Sequence, residues 1–308
     1  YCKPEQAASG YLSQNRNEAF ANEGWFMVSY VPTPSRGISK EIRKEYCKKA
    51  YRLEQDFSGF RTIHRFPMFA EGRNPLIRAL RYILVCTKQF FYSIVAKDAR
   101  ECNVMLISST PPIIGATAAF IKKIRRIPFV YNLQDIFPDT LAGTGLSKKD
   151  GILWKIGRMI ENFTYRNADK IIVISDDFKN NIMAKGVPEE KIVVVYNWVD
   201  EKAVVPVAKE DNRLYDELGI NRDKFSVVYA GNFGHAQNID VTIATAEKLK
   251  DVGDIQFLMF GTGGLVEDYK KIVLEKGLKN MFFFPLQPAE KVSQVYSMGD
   301  LGVVACKK

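Results

Sequence analysis

The sequence predicts an α/β protein with parallel sheets, and three stretches carry that prediction. Lys170 to Asp200 reads as a strand, a short helix and a strand within about thirty residues, the length of a unit whose two strands lie parallel. Two further apolar runs, Phe225 to Ala230 and Ile255 to Phe260, lead straight into Gly231-Asn232-Phe233-Gly234 and Gly261-Thr262-Gly263-Gly264. Short β-branched and aromatic runs that stop at glycine suit buried strands followed by tight turns.

Composition narrows the class further. A chain of 308 residues with 46% hydrophobic content can build two cores at roughly 150 residues per domain. Cys2, Cys47, Cys86, Cys102 and Cys306 have neither metal nor redox spacing, which favours a reduced, cytoplasmic setting. With only His64 and His235, a histidine-built zinc site is not expected. No run reaches the roughly 18 apolar residues of a membrane span, and no signal peptide is visible. The net charge of +9 comes without a nucleic-acid motif, so nucleic acid is not expected as the partner. The chain starts at Tyr1 and stops soon after an apolar strand, so it is expected to be incomplete at both ends.

In chain order, Lys3 to Gly10 is a small-residue loop in which Ala8, Ser9 and Gly10 allow close approach of a ligand. Tyr11 to Glu23 is predicted helical and Trp25 to Val31 a strand. An Asp56-Phe57-Ser58-Gly59 turn separates two short strands, the second carrying a structural His64. Leu76 to Arg100 is a basic, broadly apolar helix. Arg78, Arg81 and Lys88 border a face suited to an anionic bilayer surface, or else form the solvated rim of a core helix. A second basic knot is Lys122, Lys123, Arg125 and Arg126.

Strands Val104 to Ser108 and Ile127 to Leu133 flank the helix Gly115 to Ile124. Beyond them Gln134, Asp135, Asp139 and Thr140 fall at a strand's carboxyl end, where open parallel sheets bind ligands. Gly151 to Asn167 is an amphipathic helix with Trp154, Ile156, Met159, Ile160 and Phe163 as its expected core side. In the central unit Ser175 and Asp176 cap a helix that closes at Gly186 before Pro188. Residues 1–202 are expected as one domain and 203–308 as a second. In the second, glycine-rich exits on successive strands suit the phosphates of a nucleotide, without the P-loop pattern of an ATPase. The exit Pro285 to Gln287 of the strand Met281 to Phe284 offers backbone amides to a base, or else is an ordinary connection.

Together Asp135-Ile136-Phe137-Pro138-Asp139, the frame from Val173 to Asp200, Tyr229 to Gly234 with Gln237, Gly261-Thr262-Gly263 and Asp300-Leu301-Gly302 resemble the family-four glycosyltransferases. The likeness is strongest to the bacterial surface-polysaccharide branch that includes the N-acetyl-L-fucosamine transferases. It implies a GT-B fold, two Rossmann-like domains facing across a cleft, with the second domain truncated. It also implies a retaining transfer from a UDP-sugar to a saccharide carried on lipid pyrophosphate, at the cytoplasmic face of the inner membrane and with no metal. Gln134 and Asp135 would serve catalysis. Gly231, Asn232, Gln237, Gly261, Thr262, Gly263, Gly264 and Leu286 would hold the donor, and Ala8, Ser9 and Gly10 would approach from the acceptor side. Asn232 and Gln237 stand where many members carry arginine and lysine, and Gln134 where many carry histidine. The family's paired-glutamate segment would follow Ala305. A sugar-nucleotide epimerase on the same fold and a non-catalytic sugar-nucleotide-binding subunit are the alternatives.

Overall fold

The computed structural model describes residues 2–5, 10–35, 37–47, 51–70, 72, 74–140 and 151–306. The chain divides into two compact units between Trp198 and Val199. In the first unit the order is α1 (Gly10–Asn22), β1 (Met27–Pro32), α2 (Lys40–Cys47), β2 (Arg52–Asp56), β3 (Arg61–Phe66), α3 (Pro75–Val95) and α4 (Lys97–Glu101). Then come β4 (Met105–Ser108), α5 (Ile114–Arg125), β5 (Phe129–Leu133), α6 (Ile152–Asn167), β6 (Lys170–Val173), α7 (Asp176–Ala184) and β7 (Ile192–Val194).

The strands β4-β5-β6-β7 form a parallel sheet in that order. Phe129, Leu133, Ile171 and Val173 pack its core against Ala118, Ala119 and Ile182 from the helices. A three-stranded sheet, order β1-β3-β2, contains the short strands separated by the Asp56–Gly59 turn; β3 runs parallel to β1 and antiparallel to β2. His64 is held in its interior, bonded through its ring nitrogens to Tyr51 and Asp98. Ser175 caps α7 through its Oγ, which accepts from the Phe178 N–H at 3.2 Å.

Two helices present faces other than those expected. In α3 the exposed large apolar side chains are Leu76, Ile77, Leu80, Ile83, Leu84, Phe91 and Val95, and Arg78 is exposed beside them. Arg81, expected on the membrane-facing border, is instead only 6% exposed. Its guanidinium donates to the Phe69 carbonyl at 2.9 Å and to Ser35 Oγ at 3.4 Å, because a buried cation holds only where acceptors meet it. Lys88 is half-buried, lies over the Phe66 ring and donates to the Pro67 carbonyl at 2.8 Å. In the second basic knot Lys122 donates to the Asn167 carbonyl and to Asp169, and Arg125 to the Ser93 carbonyl, so both tie helices to neighbouring chain.

The other helix is α6, which buries Gly157, Glu161, Thr164 and Tyr165 and leaves Ile156 46% and Met159 64% exposed. Close approach decides this face. A Cβ on Gly115 of α5 would lie 2.3 Å from Thr164 Cγ2, and one on Gly157 2.7 Å from the Phe137 ring. The small-residue side therefore goes inward with Tyr165; of the expected core set Phe163 packs against the core and Trp154 and Ile160 are half-buried, while Ile156 and Met159 face out.

The second unit holds α8 (Leu214–Leu218), β8 (Phe225–Asn232), α9 (Ile239–Lys248), β9 (Ile255–Thr262), α10 (Val266–Glu275), β10 (Met281–Phe284), α11 (Val292–Ser297) and β11 (Leu301–Gly302). Its sheet is parallel throughout with the order β10-β9-β8-β11. The winding direction reverses between β8 and β11, and such a reversal opens a crevice at the strands' carboxyl ends. One side of the sheet packs Tyr229, Phe233, Phe257 and Met259; the other packs Leu214, Tyr215, Leu258, Phe260 and Met298.

Candidate active-site edges

In the first unit, polar residues gather where the parallel strands end. Gln134 and Asp135 follow β5 directly. The Gln134 Nε2 donates to Asn132 Oδ1 at 3.0 Å, and Asn197, just past β7, donates its Nδ2 to Gln134 Oε1 at 3.1 Å. The Tyr11 hydroxyl donates to the Trp198 carbonyl at 2.7 Å, which brings the start of α1 beside the same exit. Gly10 opens that helix, and a Cβ there would meet nothing within 4 Å. Ala8 and Ser9 lie outside the described residues. Before them, Arg65 donates to the Lys3 carbonyl, and the Ser35 N–H donates to Glu5 Oε1 at 2.8 Å.

Asp135 stands at the exposed surface of this edge, yet the surrounding protein desolvates its carboxyl enough to raise its pKa above the ordinary value. Among the described residues no donor is bonded to that carboxylate. Asp139 differs: its Oδ2 accepts from Lys185 Nζ at 2.7 Å, and Lys185 also reaches the buried Glu161 at 3.1 Å. Glu161 further accepts from Arg158 and, at 2.6 Å, from the Tyr165 hydroxyl. Asp139 thus anchors the loop, and Thr140 donates its hydroxyl back to the Ile136 carbonyl. Of the two carboxylates, only that of Asp139 has a partner among the described residues.

In the second unit the glycines act mainly on one another's loops. Gly261 has φ +146°, and a Cβ there would lie 1.8 Å from the Gly231 carbonyl oxygen; on Gly263 it would lie 2.2 Å from that of Phe233. Gly231 faces the Tyr229 hydroxyl, which donates to the Asn232 carbonyl at 2.7 Å. Gln237 Oε1 accepts from the Gly234 N–H at 3.3 Å and so shapes the loop. These residues lock the β8 and β9 exits together. Asn232, Thr262, Gly264 and Leu286, the last 67% exposed, stand open at the carboxyl edge.

The first turn of α10 carries Glu267 and Asp268, which oppose an anion at that helix start. Lys270 is paired with Glu267 at 2.8 Å, and His235 lies exposed in the β8 exit. Asp300 precedes β11 at the opposite edge, where it accepts from the Ser226 N–H at 2.7 Å. Among the described residues no three His, Cys, Asp or Glu side chains converge as metal ligands would, and no helix is long and apolar enough to cross a membrane.

Sequence reasoning passed over Ser109, Asn132 and Asn197 as site residues. Ser109 and Asn197 meet Gln134 across 25 and 63 residues of chain, separations at which local patterns carry no information.

Two Rossmann-like units, each with a parallel sheet and an open polar carboxyl edge, are the units of a GT-B fold. Residues 65–203 match Glycosyltransferase Family 4 and residues 211–308 match Glycosyl transferases group 1, and the chain belongs to glycosyltransferase family 4. It is 25% identical over 309 residues to the putative colanic acid biosynthesis glycosyl transferase WcaI of Escherichia coli, covering 99% of this chain and 74% of that protein. It is 28% identical to the probable glycosyltransferase WbjE of Pseudomonas aeruginosa over 79% of this chain and 58% of that one. Its fold is similar to that of HepE from Anabaena in complex with UDP, with a TM-score of 0.60 and 15% identity over 90% of this chain and 73% of that one.

Proposed function

We propose that this chain transfers a sugar, with retention, from a UDP-sugar to a saccharide on lipid pyrophosphate in bacterial surface-polysaccharide synthesis. The observation that carries the reading is Asp135, a desolvated and unengaged carboxylate at the carboxyl edge of a parallel sheet. The UDP of the HepE complex and the colanic acid role in the name of WcaI support the donor and the setting.

In the proposed step the bond from the anomeric carbon to the UDP oxygen breaks, and its electron pair passes to the diphosphate. The acceptor oxygen bonds the same face of the carbon, and its hydroxyl proton passes to a phosphate oxygen. Asp135 and Gln134 hold the acceptor hydroxyl against that face, an orienting role with a large effect on rate. Asn232, Thr262 and the loop amides near Gly264 meet the donor, and hydrogen-bond donors there stabilise the leaving diphosphate. No metal is part of the proposed step.

The proposed membrane contact is the exposed apolar face of α3 with Arg78 at its border, resting on the cytoplasmic side of the inner membrane. Vesicles rich in phosphatidylglycerol test it; failure to bind them removes the contact. For the donor, thermal unfolding is compared with UDP, GDP, ADP and CMP. A ligand at about 100 times its Kd adds roughly 2.7 kcal/mol, and stabilisation by none of the four sinks the nucleotide site. Conversion of a UDP-sugar without acceptor to its epimer would favour the epimerase instead.

A further inference from the structure

At the edge that carries Asp135, one buried hydroxyl holds two consecutive peptide groups. Ser109, 4% exposed, follows β4. Its Oγ accepts from the Gln134 N–H at 3.1 Å and from the Asp135 N–H at 3.3 Å. Both lone pairs of a hydroxyl are then occupied. Ser109 is itself fixed, since its N–H donates to the Asn132 carbonyl at 3.0 Å. Asn197 completes the frame from the other side through its bond to Gln134 Oε1, and Gln134 passes the orientation on to Asn132. The strand exits after β4, β5 and β7 thereby meet on two adjacent residues, whose peptide planes and one carboxamide are fixed while the carboxylate is left open.

We infer that Ser109 and Asn197 are positioning residues for sugar transfer, Ser109 fixing the backbone that carries Asp135 and Asn197 fixing the carboxamide of Gln134. The inference rests on the proposed reading of this edge as the acceptor side. A displacement of about 1 Å in an orienting group costs on the order of a hundredfold in rate, so a frame of this kind acts on turnover more than on binding. Release of the Asp135 peptide also lets its carboxyl swing into water, which would return its titration toward the ordinary range.

Two readouts on the full chain test this. The first is UDP release from UDP-glucose, UDP-galactose or UDP-N-acetylglucosamine with water as acceptor. The second is a ¹³C-carboxyl titration of Asp135, which needs no turnover. Ser109→Ala is expected to lower kcat about tenfold or more with KM within about twofold, and to lower the Asp135 midpoint. Ser109→Thr, which keeps the oxygen, is expected to restore both. Asn197 is exposed, so Asn197→Ala leaves the fold intact; it is expected to lower kcat and to shift the Gln134 side-chain amide signals. An unchanged Asp135 midpoint in Ser109→Ala, or unchanged Gln134 signals in Asn197→Ala, overturns the inference, as does a loss that falls wholly on KM. If the wild-type chain releases no UDP, the role in sugar transfer falls with the transfer reading, and a midpoint that still moves shows only that Ser109 fixes the backbone carrying Asp135.

Discussion

Replacing Gly261 with alanine would place a Cβ 1.8 Å from the Gly231 carbonyl oxygen, at a φ of +146° that side chains rarely adopt. Real Cβ contacts essentially never fall under 3.0 Å, so the two strands must separate by more than 1 Å at this point. That separation pulls on the paired positions Gly231–Gly261 and Asn232–Thr262, and on the 2.8 Å bond from the Phe233 N–H to the Thr262 carbonyl. Backbone strain of about 1–3 kcal/mol and overpacking of a similar size give roughly 2–6 kcal/mol in all. For a unit of about a hundred residues this lowers Tm by roughly 10–30 °C. The assay is thermal and urea unfolding followed by probes in the second unit, with UDP binding measured alongside. Gly264→Ala is the control: a Cβ there meets nothing within 4 Å, and stability should stay within about 0.5 kcal/mol. Equal stabilities for the two variants would refute the argument that Gly261 is demanded by the β8 exit.

Asp135→Asn should abolish transfer and yet raise Tm near neutral pH. Desolvation raises the folded-state pKa of Asp135, so its ionisation opposes folding above the unfolded pKa, and the variant's gain should vanish as pH falls through the carboxylate range. A gain that persists in acid would contradict this. Glu161→Gln leaves Lys185 and Arg158 without their shared carboxylate and should cost about 3 kcal/mol by urea unfolding; a neutral result would mean the buried cluster does not hold the Asp139 loop. Arg81→Ala should cost about 2 kcal/mol of stability through its lost bonds to Phe69 and Ser35. Arg78→Glu should weaken vesicle binding by about 2 kcal/mol, roughly 30-fold. The opposite pattern for Arg78 and Arg81 would return Arg81 to the surface.

The α/β class, the strand and helix order, and the position of Gln134 and Asp135 at a strand end are legible from the chain, because each depends on neighbours a few residues apart. The apolar runs of β6, β8 and β9, the Ser175 cap and the glycine exits are of this kind. The family match over residues 65–203 and 211–308 follows from the same motifs. What lies beyond local spacing is the identity of partners brought together by the parallel register. Arg81 and Arg78 are both cations of one helix, and only the placement of Ser35 and the Phe69 carbonyl sends one of them inside. In α6, periodicity favours Ile156 and Met159 as core, whereas contact with Gly115, Phe137 and Pro138 selects the Gly157 and Thr164 side. Asp135 and Asp139 look alike in sequence; Lys185, 46 residues past Asp139, engages one carboxylate, and among the described residues no donor engages the other.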